Sequence, residues 1–110
     1  MHPRRGEVWW VSFDPSVGGE IQKTRPAIIM SNNAANSMLN RVIVVPLTSQ
    51  TTKVYPGEAL VTLNGEQRKA MADQVMSAGK QRLRAKLGAL SMSDVTAVEN
   101  AMLLQSGIRR

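Results

Sequence analysis

Short runs with strand periodicity, each closed by turn-forming residues, follow one another along most of this chain, and only its last stretch carries helical spacing. Glu7–Phe13 alternates, with Trp9, Val11 and Phe13 on one face and Val8, Trp10 and Ser12 on the other. The Asp-Pro-Ser-Val-Gly-Gly-Glu segment at 14–20 predicts a long loop reaching about Thr24. Residues 26–31 form a short apolar run, read as a buried strand, and the asparagine-rich stretch 32–40 predicts a helical turn or loop. Residues 42–47 are β-branched and apolar, a strong strand signal. Pro46 cannot donate a ladder hydrogen bond, so that strand must meet an edge or a bulge near its end. After a polar loop at 48–57, Glu58–Leu63 alternates as a strand, and Asn64-Gly65 predicts a hairpin turn. Residues 69–77 read as another strand, and 80–86 as a continuation of the sheet. Ser91, with Asp94 three residues on, caps a helix. Val95, Val98 and Met102 give that helix its apolar spacing, and Gly107 ends it. Five or six strands and then one helix predict a mainly β fold: a small, strongly bent barrel with a C-terminal helix packed on it.

The 110 residues, without repeat or linker, suit one domain spanning 1–110. A chain of that size buries roughly 65% of its unfolded surface, enough for one modest core. Three of the four aromatics, Trp9, Trp10 and Phe13, sit in the first strand and should anchor that core; the fourth is Tyr55. Cysteine is absent, which favours a reducing compartment. No apolar run is long enough to span a bilayer and the first residues lack a signal-peptide core, so a cytoplasmic protein without a membrane partner is expected. His2 is the only histidine and the eight acidic residues are scattered, so no metal and no cofactor are expected. The net charge of +6 calls for a polyanionic partner, either nucleic acid or an acidic protein.

Five segments, in order, resemble the MazF/PemK/Kid family of toxin endoribonucleases. They are Arg5-Gly6-Glu7-Val8-Trp9 through Phe13-Asp14-Pro15; Gly19-Glu20 followed by Thr24-Arg25-Pro26-Ala27; Ser31-Asn32; Val44-Val45-Pro46-Leu47-Thr48-Ser49; and Asp73-Gln74-Val75. The resemblance implies an SH3-like small β-barrel with a C-terminal helix, working as a homodimer. It implies sequence-specific, metal-independent cleavage of single-stranded RNA, and a cognate antitoxin whose acidic tail occludes the RNA groove. The family's catalytic arginine and threonine fall on Arg25 and Thr48, with Asp73 as a third catalytic candidate. RNA contacts are implied at Glu20, Lys23, Asn32, Ser49, Gln50 and Gln74. Some members place an arginine two positions before the aspartate; here that position is Met71.

The residue chemistry fits such a reaction. RNA carries its own nucleophile, the 2′-hydroxyl, so an enzyme needs only to orient it, stabilise the crowded phosphorane and help the leaving oxygen. A guanidinium fork can hold two phosphate oxygens, which is the role expected of Arg25. The bland alternative is an arginine paired with an acid such as Glu20. A threonine hydroxyl is no base near neutrality, so Thr48 is expected to orient and stabilise. Asp73 can accept a proton. Lys80, Arg82, Arg84 and Lys86 alternate and on one strand would form a basic stripe, with Leu83, Ala85 and Leu87 facing inward. Two other readings are a CcdB-like, gyrase-directed toxin and a non-catalytic RNA- or peptide-binding barrel. The first requires a C-terminal tryptophan before Gly-Ile, and Ser106 stands there instead.

Overall fold

The alternation read at the N-terminus becomes strand β1 (Glu7–Phe13), and its two faces enter two different apolar clusters. The computed structural model describes residues 2–13 and 23–108, with Lys23 described by its backbone alone. The order continues as β2 (Lys23–Ile29), α1 (Asn33–Met38), β3 (Arg41–Thr48), β4 (Glu58–Leu63), β5 (Glu66–Met71), β6 (Met76–Gly79), β7 (Leu83–Ala89) and α2 (Met92–Ser106). All the pairings are antiparallel, in the order β4-β5-β3-β2-β1-β7, with β6 also paired to β3.

The ends of that path, β4 and β7, are not hydrogen-bonded strand to strand among the described residues. They nonetheless approach, because Asn64 Nδ2 donates to the Leu87 carbonyl at 3.0 Å. The sheet is therefore bent into a barrel left open along one seam. The β4–β5 turn is the one that Asn64-Gly65 predicts: both residues have positive φ, 50° and 84°, and Leu63 pairs with Glu66 across them.

One cluster fills the inside of the bend. Val8, Ile28, Val45, Leu47, Ala59, Val61 and Leu63 meet Val98 and Ala101 of α2 there. Burying each Val, Ile or Leu contributes roughly 1.5–3 kcal/mol. The helix starts where the capping residues predict, Ser91 Oγ accepting from Asp94 N at 3.2 Å, and ends at Gly107 in the left-handed conformation. Asp94 also accepts from Thr62 N at 2.8 Å, tying the helix to β4. The second cluster lies on the opposite face: Val11, Ala27, Ile29, Val42, Val44 and Ala78, with Trp9, Phe13 and Leu83 packed against it. β2 and β3 are thus buried on both faces, which explains their unbroken apolar runs. Trp10 stays partly exposed, so it is Trp9 and Phe13 that anchor the second cluster.

Two expected strands need correction. The run 69–77 is interrupted by a 3-10 turn, Ala72–Gln74. β5 and β6 lie along the same edge of β3, where Leu47 pairs with Ala70 and Val44 with Met76. Between those pairs, Val45 and Pro46 stand against residues 71–75, so the interruption is a large bulge opposite the proline. Pro46 has no N–H to offer the ladder at that point, which is the bulge its position predicts. The run 80–86 is likewise broken: Lys80–Arg82 is a 3-10 turn and the strand begins at Leu83. The basic stripe therefore does not form as one strand face. Arg84 and Lys86 are exposed on β7, while Ala85 is exposed rather than inward.

Candidate active site

Strand registers, with the β2–β3 register continued past its last pair, place the candidate residues. Val11 on β1 pairs with Arg25 on β2. Ala27 pairs with Pro46, and continuing that register by two residues puts Arg25 opposite Thr48. Thr48 pairs with Lys69 on β5, and Lys69 with Leu60 on β4. Paired side chains share a face and stand about 5 Å apart at Cβ. Arg25, Thr48 and Lys69 therefore form one transverse row on the face that carries Val11 and Ala27.

Arg25 and Thr48 are both half-buried. Among the described residues the Arg25 guanidinium makes no hydrogen bond or ion pair. Thr48 Oγ1 accepts from Gln50 N at 3.2 Å, a turn that starts the β3–β4 loop and fixes the threonine rotamer. The hydroxyl proton remains free to donate. Ser49 and Gln50 follow it and are exposed.

Asp73 and Gln74 reach the surface on the bulge opposite Pro46. Asp73 lines a shallow cavity of about 320 Å³ with Tyr55, Pro56, Gly57, Glu58 and Gln105 of α2. A Cβ at Gly57 would meet the Gln105 amide, so a larger residue there would require the exposed Gln105 side chain to swing aside. Gln74 Nε2 contacts Met71 Sδ at 3.6 Å. Asp73 thus lies beyond Met71, which is about 7 Å along β5 from the row. The strand pairing that joins Arg25 to Thr48 does not bring Asp73 beside them.

Asn32 sits beyond the other end of β2. Its Oδ1 caps α1 by accepting from Ala35 N at 2.8 Å, and it lines a separate cavity of about 430 Å³ with Arg5, Ser31 and Arg41. The structure does not join it to the row. The Lys23 backbone pairs with Phe13. Glu20 and residues 14–22 of the expected loop lie outside the described residues; the sequence predicts a loop reaching about Thr24, but Lys23 and Thr24 already belong to β2 and pair with Phe13 and Ser12.

Sequence reasoning did not single out Lys69 or Glu58. Lys69 is only 8% exposed although it lies on the outer face. The β3–β4 loop folds back over it. Lys69 Nζ donates to Glu58 Oε1 at 3.1 Å and to the Lys53 carbonyl at 2.9 Å. The same Glu58 oxygen accepts from Tyr55 N at 2.9 Å. The Tyr55 amide, against the opposing effect of burial and together with Lys69, holds the Glu58 carboxyl below the usual carboxylate value. A lysine flanked by Ala70, Met71 and Ala72 is the one sequence hint of this pair.

Among the described residues no group of His, Cys, Asp and Glu is arranged to hold a metal ion, and no helix is long and apolar enough to cross a membrane.

With this architecture in view, comparison with known proteins defines the class. The chain belongs to the PemK-like, MazF-like toxin family of type II toxin-antitoxin systems, whose description matches residues 4–105. Within that class it is similar to Endoribonuclease MazF9 of Mycobacterium tuberculosis, at 38% identity over 92% of this chain and 93% of the relative. It is also similar to Endoribonuclease toxin MazF of Escherichia coli K12, at 36% identity over 88% and 87%. Among solved structures, a mycobacterial endoribonuclease in complex with its cognate antitoxin superposes with a TM-score of 0.81 at 26% identity, covering 98% of each chain. A MazE–MazF complex from Deinococcus radiodurans shares the fold, with a TM-score of 0.84 at 24% identity and 99% of each chain covered.

Proposed function

We propose that this chain is an endoribonuclease toxin that cuts single-stranded RNA at particular sequences without a metal ion. The observation that carries this reading is the Arg25–Thr48 neighbourhood: a guanidinium without a partner among the described residues which, when the Ala27–Pro46 register is continued by two residues, stands across from a hydroxyl held at the mouth of a loop. The family membership and the endoribonuclease relatives support the same reading.

In the proposed reaction the ribose 2′-oxygen forms a bond to the adjacent phosphorus while the bond from phosphorus to the 5′-oxygen breaks. The products are a 2′,3′-cyclic phosphate and a 5′-hydroxyl. Arg25 holds the non-bridging oxygens and offsets their growing charge, and Thr48 donates to the phosphate and orients it. The 2′-proton goes to a base, and the leaving 5′-oxygen takes a proton. Arginine and threonine are both poor bases near neutrality. Of the two carboxylates flanking the 320 Å³ cavity, Glu58 is engaged by Tyr55 and Lys69, so Asp73 is the proposed acceptor; because it lies off the row, this role requires the bound RNA to extend from Arg25 and Thr48 to the bulge. Ser49, Gln50 and Gln74, exposed around the row and the bulge, are proposed RNA contacts, together with Glu20, Lys23 and Asn32.

The proposed assembly is a homodimer of a single-domain chain in the cytoplasm, neutralised by an antitoxin with an acidic tail. The net charge of +6 suits both that tail and RNA. Exposed Trp10, Leu39, Ile43 and Met76 leave apolar surface for a second copy to cover.

One experiment tests the chemistry. The purified protein is incubated in EDTA with a mixed-sequence RNA, and the new ends are mapped. Cleavage leaving cyclic phosphates is the expected result, and a single 2′-deoxy substitution at the cut site should abolish it. Cutting of the deoxy linkage at the natural rate would end the proposal.

A further inference from the structure

We propose that Glu58 and Lys69 are positioning residues that clamp the β3–β4 loop and thereby set which RNA sequence the site accepts. This rests on the ribonuclease reading above.

The loop at 49–57 contains no regular structure, yet part of it lies over the sheet. Main-chain groups of a segment so placed need partners. Lys69 and Glu58 supply them: the ammonium takes the Lys53 carbonyl, and the carboxylate takes the Tyr55 amide. An apolar pair would pack there but could bond neither group. The two side chains are only 11% and 10% exposed, and their charges cancel. Among the described residues the clamp therefore leaves Arg25 as the row's uncompensated cation.

The geometry links the clamp to the site at both ends of the loop. Lys69 is the cross-strand neighbour of Thr48, where the loop begins. Glu58 opens β4, where the loop ends, and Glu58 N closes a turn back to the Tyr55 carbonyl at 2.9 Å. Between them Tyr55, a residue 59% exposed, stands at the rim of the cavity shared with Asp73. Aromatic faces stack on unpaired bases. A ring carried on a fixed backbone offers one stacking geometry and discriminates among sequences, whereas a ring on a loose loop adapts to many.

The test uses the full chain and the double variant Glu58→Leu with Lys69→Met. Replacing a buried ion pair by apolar residues of similar size commonly preserves stability, so the sheet should remain intact. Two measurements are made: amide hydrogen exchange across the chain, and kcat and KM for cleavage of the preferred RNA and of a second-choice sequence. The proposal expects exchange at Tyr55 to speed at least tenfold while β1, β2 and β3 stay protected. It further expects KM for the preferred RNA to rise about tenfold, kcat to change less than threefold, and the preference between the two sequences to shrink about tenfold. A folded double variant with unchanged preference overturns the proposal, whether or not exchange speeds. Loss of kcat with preference retained also overturns it, since that is the mark of a catalytic or merely structural role. A wild-type chain that cuts no RNA overturns the ribonuclease reading itself, and the specificity role with it.

Discussion

Arg25 and Lys69 are two cations on one transverse row, separated by a single strand, and their surroundings differ in almost every respect. Arg25 is half-buried and has no partner among the described residues. Lys69 is nearly buried and bonded to both a carboxylate and a main-chain carbonyl. The difference teaches how the sheet divides its labour. The β2–β3 side leaves a charge unspent and therefore able to meet an incoming phosphate. The β4–β5 side spends its charge internally and returns a fixed loop. A buried cation with a good partner organises structure, and a cation without one awaits a ligand.

Removing each charge in turn gives the widest separation. Arg25→Ala should lower kcat about 10³-fold, the scale of losing a guanidinium that stabilises a phosphoryl transition state, while circular dichroism and Tm stay close to wild type. Lys69→Met should keep kcat within about tenfold, because it touches no reacting atom. Equal losses from the two variants would erase the distinction drawn between them. Next in size is Thr48→Val, which keeps the shape but removes the hydroxyl. It should cost about 10²-fold in kcat, read in single-turnover cleavage with RNA saturating. A loss confined to KM would move Thr48 from the reaction to simple binding.

The third prediction turns from rate to stability. Glu58→Ala leaves the Lys69 ammonium without its carboxylate in a nearly closed setting. The expected loss is about 3 kcal/mol, or more than about 10 °C in Tm. The apolar double variant should recover most of it. If the single and double variants melt together, the pair is not acting as a buried couple.

Much of this scaffold is legible in the chain. Glu7–Phe13 and Glu58–Leu63 show their strand ends because alternation stops at turn residues. Asn64-Gly65 announces its hairpin, and Ser91 its helix, through local hydrogen-bond chemistry. The bulge is only half legible. Pro46 signals that pairing must fail near it, but nothing local says that the chain opposite will insert Ala72–Gln74. That insertion is set by where β5 and β6 each find register on β3. The site follows the same rule. Arg25 and Thr48 stand out through family motifs, and their apposition then follows from strand order. Lys69 reads as an ordinary surface residue, because the loop that buries it comes from a polar stretch with no apolar signal. Asp73 is visible as a residue, yet its separation from the row depends on the bulge, which the sequence does not locate.

Acid should sharpen the comparison with the smallest effect. Two carboxyls are held below the usual value of 4.5, one in each part of the strand order: Glu58 of the clamp on β4 and Glu7 on β1. For Glu7, burial works in the raising direction, and hydrogen bonds from Arg4 N, Lys86 and Trp9 outweigh it. A carboxyl with a depressed folded value binds its proton more weakly in the native state than in the unfolded chain. Its stabilisation is therefore present above the unfolded value and is lost as pH falls through the folded one. Urea unfolding of the wild type should weaken as pH drops below about 4.5, by less than the loss from Glu58→Ala. In the Glu58→Leu, Lys69→Met double variant only the Glu7 share of that loss should persist, so its stability should fall less steeply over the same range. Amide exchange at Tyr55 should follow the Glu58 share alone, because Glu7 and Lys86 bond at the β1–β7 edge and do not touch the loop. A double variant as acid-sensitive as the wild type would mean that the clamp's carboxylate contributes nothing to holding the folded state.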